Sequence, residues 1–235
     1  SRVTTALRER NVKEIKDIFE TVPNIDIADA ISEVDDLQEL MFIFRVVTKD
    51  YTGEFFAELP VEQQEIIIKA FSDKELIALL ENSFADDIVD TIEEMPANVV
   101  NRILRVAPSD LRKDINQLLN YKDNTAGSVM TTEYIEMREN VTVKEALKTI
   151  REKGRDAETI FTVFVRDAKR TLVGTINLDD LIFSKDEETL EDVMDRDFVT
   201  CHVNDDQEEV ALDFKRYDLN AMAVLNSNDK IVGII

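Results

Sequence analysis

The chain has 235 residues, enough for one large domain or two ordinary ones, and 44% of them are hydrophobic, so well-formed cores are expected. Fifty acidic residues against 28 basic residues give a formal charge of −22. This charge argues against binding to nucleic acid, where Lys and Arg must meet phosphates, and against docking on anionic lipid. It attracts cations or a basic partner.

Cysteine content and hydropathy indicate the compartment. A single cysteine, Cys201, excludes an internal disulfide framework and a multi-cysteine zinc site. No apolar run is longer than residues 40–44, and no secretory signal is visible at the N-terminus. We therefore expect a cytosolic protein. Residues 230–235 read as a strand with an unpaired edge, so we expect the second half to be truncated.

Residues 1 to about 120 read as a succession of short helices. Helix breakers recur roughly every twelve residues, and Pro and Ser are favoured in the first turn of a helix as N1 and N-cap residues. The breakers are Pro60, Ser72, Ser83, Pro96 and Pro108. The segments between them, at 62–69, 73–80 and 86–94, are amphipathic. Because repeats this short cannot bury an apolar face alone, they predict a stacked, right-handed α-superhelix.

The composition changes near Tyr121, and after a turn-rich linker at 122–127 the chain repeats itself. Val129-Met130 and Val193-Met194 open the two copies, and each copy ends in a hairpin that contains Val-Gly (Val173-Gly174 and Val232-Gly233). Predicted strands are 134–137, 161–165 and 172–176 in the first copy, and 198–203, 222–225 and 231–235 in the second. Each copy therefore predicts a β-α-β-β unit.

Capping residues indicate where the helix of each copy begins. Thr142 and Glu145 have the spacing of a capping box, and Asp206 and Glu209 repeat it with Asp in place of Ser or Thr. Apolar residues at i, i+3, i+4 and i+7 from Val143 form one face. The first copy has a further helix predicted at 178–183.

Two such tandem units resemble a pair of cystathionine-β-synthase (CBS) domains, and the chain from about Thr21 onward resembles the cytosolic region of MgtE-type magnesium transporters. The matching segments are 84–90, 124–134 (Asn-Thr-Ala-Gly-Ser-Val-Met-Thr-Thr-Glu-Tyr), 154–159, 206–211 and 216–219. The resemblance implies an α+β multidomain fold: an α-superhelical domain at 1–122, a first CBS domain at 123–186 and a truncated second CBS domain at 187–235.

The resemblance also implies a function. Full-length members are homodimeric channels with a membrane domain after the CBS pair, and their cytosolic domains bind Mg²⁺ and hold the pore shut when the cation is abundant. We expect this chain to be such a sensor at the cytoplasmic face of the membrane, dimeric through its CBS pairs. No nucleophile–base pair and no P-loop are present, so no enzymatic activity is expected.

Magnesium prefers hard oxygen ligands and keeps several waters, so one or two carboxylates with a carbonyl suffice. Asp86 and Asp90 share one face of a predicted helix, which by itself is typical of a solvated surface; in the resemblance they match a family acidic pair. Glu54 matches another family ligand and otherwise reads as a surface residue.

Two further sites are implied in the second copy. Asp218 closes its helix, where the dipole is negative and an acid is unfavourable without a cation; the resemblance pairs Asp218 with the Lys215 carbonyl, although a turn-forming Asp is an equal alternative. Asp206 reads as an N-cap, and the resemblance pairs it with the Gly127 carbonyl. One carboxylate oxygen can cap while the other binds.

CBS pairs also resemble nucleotide-binding modules, in which an Asp after the Val-Gly strand binds ribose. Asp180 occupies that position, but Asn177 replaces the usual Ser or Thr. An adenine nucleotide such as ATP is therefore a second ligand to test, and a nucleotide-sensing CBS adaptor not tied to a channel is the alternative function. Cys201 and His202 lie in a predicted strand and read as structural residues.

Overall fold

A computed structural model describes residues 1–32, 34 and 36–235. The chain divides into two compact units, Ser1–Asn116 and Gln117–Ile235. No helix in the described ranges is both long enough and apolar enough to span a bilayer.

The first unit is helical throughout its regular structure. In chain order its described helices are α1 (Arg2–Arg8), α2 (Val12–Thr21), α3 (Asn24–Ile31), α4 (Leu37–Val46), α5 (Lys49–Ala57), α6 (Val61–Ala70), α7 (Asp73–Leu80), α8 (Ala85–Glu93), α9 (Ala97–Val106) and α10 (Ser109–Leu118), the last running into the second unit.

These helices stack in two rows. The odd-numbered helices contact one another in succession from α1 to α9, and α2, α4 and α6 do the same on the other side. Alternate helices thus form layers that share one core, with Phe55, Ile67 and Leu76 fully buried. The predicted helical superhelix is confirmed, since short helices that cannot bury a face alone do so here against their second neighbours.

The predicted Pro and Ser breakers lie at the starts of described helices, and Ser83 is an exception. Ser72 and Glu75 form a capping box at α7, and Pro60 and Pro96 occupy the N-cap positions of α6 and α9. Ser83 lies between α7 and α8, as expected of a breaker, but it is not the N-cap of α8. Its hydroxyl donates to the Leu79 carbonyl at the end of α7, and Phe84 is the N-cap of α8.

Buried or partly buried polar side chains bond to the ends of several helices. Gln63 donates to carbonyls at the end of α3, including that of Ile31 at 2.8 Å, and Gln64 donates to the carbonyl of Phe56 at 2.9 Å. Arg102 of α9 donates to the carbonyls of Ile68 and Phe71. Because the last carbonyls of a helix lack partners within it, these bonds join each repeat to the next.

The second unit contains two small sheets and their helices. Its described elements are α11 (Ala126–Val129), β1 (Glu136–Arg138), α12 (Val143–Lys153), β2 (Thr162–Arg166), β3 (Leu172–Asn177), α13 (Leu178–Phe183), α14 (Leu190–Val193), β4 (Thr200–His202), α15 (Gln207–Tyr217), β5 (Ala223–Leu225) and β6 (Ile231–Ile234), with a 3₁₀ turn at Gly154–Asp156.

The two sheets are copies of each other. In each, the first strand lies parallel to the second across a helical crossover, and the second is antiparallel to the third (orders β1-β2-β3 and β4-β5-β6). Each hairpin has a register irregularity at the same place, at Val165/Arg166 and at Val224/Leu225. The duplicated β-α-β-β unit predicted from the sequence is therefore confirmed.

The opening segments of the two copies, 129–131 and 193–195, are exchanged: each pairs with the sheet of the other copy. Thr131, from the first opening, pairs with Ile234 of β6, whereas Asp195, from the second opening, pairs with Thr175 of β3. Each opening therefore completes the edge of the other copy's sheet. A mixed cluster that includes Phe164, Leu225 and Ile234 adds a shared core between the copies.

Candidate functional site

The segment around Gly127 is pinned beside the start of α15. Thr125 forms an antiparallel bridge with Asp206, the Ala126 amide donates to the Asp205 carbonyl at 2.8 Å, and the Gly127 amide donates to the Val203 carbonyl at 2.9 Å. A Cβ at Gly127 would lie 2.7 Å from the ring of Tyr121. Backbone contacts therefore hold the segment at 125–127 against residues 203–206, far from it in the sequence.

Asp206 caps α15 with only one of its oxygens. Oδ1 accepts from the amides of Glu208 at 2.8 Å and Glu209 at 3.4 Å, and within the described residues no hydrogen bond to Oδ2 is found. The reciprocal bond from Glu209, which a complete capping box requires, is not formed. In contrast, Thr142 and Glu145 at the start of α12 form both bonds.

Asp218 lies at the C-cap of α15 with φ 51° and ψ 49°, the left-handed conformation that Asp tolerates better than most residues. The amides of Asp218 and Leu219 both donate to the Phe214 carbonyl, so Leu219 does not bond to Lys215. This geometry explains why an Asp ends the helix.

In the first unit, Asp86 and Asp90 lie one turn apart on α8. Partial burial raises the pKa of the Asp90 carboxyl, although the residue remains exposed to solvent. Desolvation disfavours the charged form of an acid, and a bound cation would reverse that shift. Asp86 also makes at least one interaction in the structure.

Glu54 lies on α5, which contacts α8. Its Oε2 accepts from Asn24 Nδ2 at 3.1 Å, a partner that no local pattern indicated. The neighbouring Gly53 lies directly against the loop before α8, since a Cβ there would lie 1.7 Å from the Asn82 carbonyl oxygen. The close approach of backbone at Gly53 places Glu54 on a helix adjacent to the one that carries Asp86 and Asp90.

No cluster of three or more His, Cys, Asp or Glu side chains suited to a metal occurs among the described residues. The resemblance instead groups the candidate oxygens in pairs: Gly127 with Asp206, Lys215 with Asp218, and Asp86 with Asp90. Such pairs fit Mg²⁺, which retains most of its water and takes one or two protein carboxylates. They do not fit zinc, which requires several nitrogen or sulfur ligands.

Asp180, the residue predicted to contact a nucleotide, lies exposed in the first turn of α13. Its carbonyl accepts from the hydroxyl of Ser184 at 2.7 Å. Asn177 is the N-cap of α13 but makes no side-chain capping bond. The carboxylate therefore has the exposure that contact with a sugar hydroxyl requires.

A partly buried polar cluster on β1 and β2 was not anticipated. Arg166 Nε donates to Glu136 Oε1 at 3.0 Å, and the other oxygen of Glu136 is buried without a partner among the described residues. Burial, and then the charge of Glu136, raises the pKa of Tyr134. Only the parallel register of β1 and β2 brings these groups together, so no sequence spacing could reveal them.

Cys201 and His202 occupy structural positions in β4. Cys201 is buried, and His202 Nε2 lies 3.3 Å from Asp229 Oδ1 at the β5–β6 turn.

A helical repeat unit joined to a duplicated, edge-exchanged β-α-β-β unit defines the class of protein built from a superhelical domain and a CBS pair. Residues 6–124 match the MgtE intracellular N domain, and residues 126–186 and 190–235 match the CBS domain. The chain belongs to the MgtE family, whose members are transporters and not enzymes.

Known relatives are magnesium transporters named MgtE. The chain is 39% identical to that of Enterococcus faecalis over 122 residues (52% of this chain and 27% of the relative), and 26% identical to that of Bacillus subtilis over 234 residues (100% and 52%). It thus spans about half the length of the B. subtilis protein.

Solved structures agree with the fold. The cytosolic domain of the Mg²⁺ channel MgtE in complex with ATP has a TM-score of 0.86 at 28% identity, covering 100% of this chain and 95% of that one. The soluble part of a magnesium transporter has a TM-score of 0.90 at 26% identity, covering 99% and 91%. The α+β architecture of helical domain and CBS pair is therefore confirmed.

Proposed function

We propose that this chain is the Mg²⁺-sensing regulatory region of a magnesium transporter, in which bound cation favours a compact form that closes the pore. The observation that supports this most directly is that the two carboxylate oxygens of Asp206 differ in their hydrogen bonds. One oxygen caps α15, the other has no partner among the described residues, and the backbone at Gly127 is pinned alongside. The second carboxylate oxygen of Asp206 is therefore open to a cation.

The mechanism we propose is electrostatic. With a formal charge of −22, the protein repels itself when no cation is bound, and this self-repulsion opposes any compact arrangement. Cations at Asp206, Asp218 and the Asp86–Asp90 pair would neutralise part of that charge. Moving an equilibrium from 1:99 to 99:1 takes about 5.5 kcal/mol of differential binding, which several weak sites can supply jointly.

Titration calorimetry with MgCl₂ tests the cation site on the full 235-residue chain. Asn is as good an N-cap as Asp, so Asp206→Asn removes the charge while it keeps the cap. We expect it to weaken or remove one Mg²⁺ binding event. Asp179→Asn, an exposed acid at the start of α13, is the matched control and should bind Mg²⁺ as the unmodified chain does.

Small-angle scattering tests the proposed change of shape. We expect a smaller radius of gyration in millimolar Mg²⁺ than in chelator. Equal dimensions in both solutions would rule out the mechanism even if Mg²⁺ binds.

We further propose that the chain is a homodimer through its CBS pair and is joined in the full-length transporter to a membrane domain, at the cytoplasmic face. Three large apolar side chains are exposed on neighbouring segments: Phe161 (63%), Ile182 (58%) and Phe183 (87%). The Leu178 amide, at the start of α13, donates to the Phe161 carbonyl, which joins these segments. Exposed apolar clusters of this kind mark protein interfaces.

A second ligand, an adenine nucleotide, is favoured by the exposed Asp180 and by a relative's structure that is described as a complex with ATP. Calorimetry with ATP in the presence and absence of Mg²⁺ separates the two functions. Nucleotide binding without any cation response would instead indicate the adaptor module. Asp180→Ala should weaken ATP binding and leave the Asp206 cation event unchanged.

A further inference from the structure

The helical unit contains a cavity that the magnesium proposal does not use. It has a volume of about 250 Å³ and lies among α4, α5 and α7, with the end of α6 at one side. Its lining residues are Phe44, Arg45, Lys49, Thr52, Phe71, Glu75, Ala78 and Leu79. All of them belong to the first unit, so the cavity depends on the packing of one compact body.

The wall of the cavity is aromatic and aliphatic. Phe44 and Phe71 meet edge to face, with ring centroids 5.5 Å apart, and Ala78 and Leu79 add aliphatic surface from α7. Phe44 also packs on the buried Phe55 at 5.6 Å, so its ring is held from behind. A rigid apolar wall is suited to a compact apolar group, because filling it removes that surface from water.

Among the described residues that line the cavity, the charged side chains are one carboxylate, Glu75, and two cations, Arg45 and Lys49. Both carboxylate oxygens of Glu75 already have partners within the protein. Its Oε2 accepts from the amide and hydroxyl of Ser72, which lowers its pKa, and its Oε1 lies 4.0 Å from Arg45. Lys49 is exposed, and it forms no ion pair with any residue that the structure describes. The mouth therefore has one cation in excess, in a protein whose formal charge is −22.

We propose that this cavity binds a small amphipathic carboxylate, with its apolar group against Phe44 and Phe71 and its carboxylate at Lys49 and Arg45. Its size limits the ligand: 250 Å³ corresponds to about eight water molecules, below the range of about 300–1,000 Å³ typical of pockets for drug-sized ligands. An aryl carboxylate of roughly ten non-hydrogen atoms is the class that fits. The net positive mouth selects an anion over its neutral analogue.

Calorimetry on the full chain, without Mg²⁺, tests the proposal with 3-phenylpropionate as the probe and 3-phenylpropionamide as its neutral match. We expect the acid to bind about fivefold more tightly than the amide, near the upper end of what an exposed ion pair supplies. Lys49→Met keeps most of the side-chain stem and should abolish this preference while amide binding is unchanged. Lys74→Met, on α7 but outside the cavity lining, is the matched control and should leave both affinities unchanged.

A second variant tests the location. Ala78→Phe would fill the cavity and should remove binding of both probes, with circular dichroism used to check that the helices remain. If it does not fold, the Lys49→Met comparison still decides. Equal affinity for acid and amide, or an unchanged preference in Lys49→Met, overturns the proposal. The proposal is also overturned if the unmodified chain binds neither probe and Ala78→Phe loses self-association. The cavity would then be a contact between copies of the chain. None of these outcomes depends on Mg²⁺ binding.

Discussion

The sulfur of Met130 lies against Gly233, although the two residues belong to opposite ends of the duplicated unit. A Cβ built on Gly233 would lie 2.6 Å from that sulfur. The same relation recurs between Met194 and Gly174, at 2.5 Å. The Val-Met openings and the Val-Gly hairpins of the sequence are therefore halves of one contact, formed across the two copies.

Gly233→Ala should lower the free energy of unfolding by about 1–3 kcal/mol, because a methyl group there overpacks against Met130 and the Thr131 carbonyl. Urea denaturation followed by circular dichroism measures this. Ser227→Ala, exposed in the neighbouring β5–β6 turn, should change stability by less than about 0.5 kcal/mol. An equal effect of both substitutions would contradict the close contact.

Arg102→Met should destabilise the helical unit by about 2 kcal/mol, because it leaves carbonyls at the end of α6 without a donor. Arg105, three residues on in α9, contacts only Asp73 in the described structure, at 3.5 Å, and is largely exposed. Arg105→Met should therefore change stability by less than about 0.5 kcal/mol. If the two variants unfold alike, Arg102 does not join the repeats as we describe.

Capping and cation binding at Asp206 can be separated by two substitutions. Asp206→Ala should lower the free energy of unfolding by about 1 kcal/mol through loss of the cap, whereas Asp206→Asn should change it by only a few tenths. Both should weaken Mg²⁺ binding equally, as measured by calorimetry. A normal Mg²⁺ response in Asp206→Asn would leave the residue with a capping role alone.

Burial raises the pKa of Cys201 to about 12, with Asp205 and Asp213 as further causes. The folded state thus favours the neutral thiol, so this contribution to stability is complete below the unfolded pKa near 9 and is lost as the pH rises toward 12. We expect slow reaction with a thiol reagent at pH 8 in the folded protein and fast reaction in urea. Between pH 9 and 12, Cys201→Ala should lose stability less steeply than the unmodified chain.

Phe183→Glu should reduce self-association, because it places a charge in the exposed apolar cluster of the CBS pair. Sedimentation velocity at several concentrations measures the effect. Ile25→Glu, which alters an exposed apolar residue of the helical unit, is the control and should leave the oligomeric state unchanged. Identical sedimentation of all three proteins as dimers would exclude Phe183 from the interface.

Local patterns in the sequence predicted the elements well. The capping box at Thr142 and the apolar periodicity after it located α12, and α13 was placed at its observed bounds, 178–183. The exchange of openings escaped prediction because it pairs Thr131 with Ile234, and no local propensity encodes that contact. Gln63, Gln64 and Arg102 escaped for the same reason: a polar residue on a helix reads as a surface residue until its acceptor is known.

Among the site residues, the proposed pairing of Gly127 with Asp206 rests on the family resemblance, because chain periodicity alone does not indicate it. Asp218, which ends α15 in the left-handed conformation, illustrates the same limit of local sequence patterns. A residue that ends a helix for steric reasons and one that also holds a cation have the same sequence signature.

The exchanged openings have a consequence for synthesis of the chain. Residues 130 and 131 leave the ribosome early, but their partners in β6 follow only about one hundred residues later. Until then the second sheet has no strand to receive them, and contacts of such long sequence separation form slowly. The helical repeats can assemble as they emerge, whereas the segment at 129–131 stays unpaired until β6 is made and is open to competing partners until then.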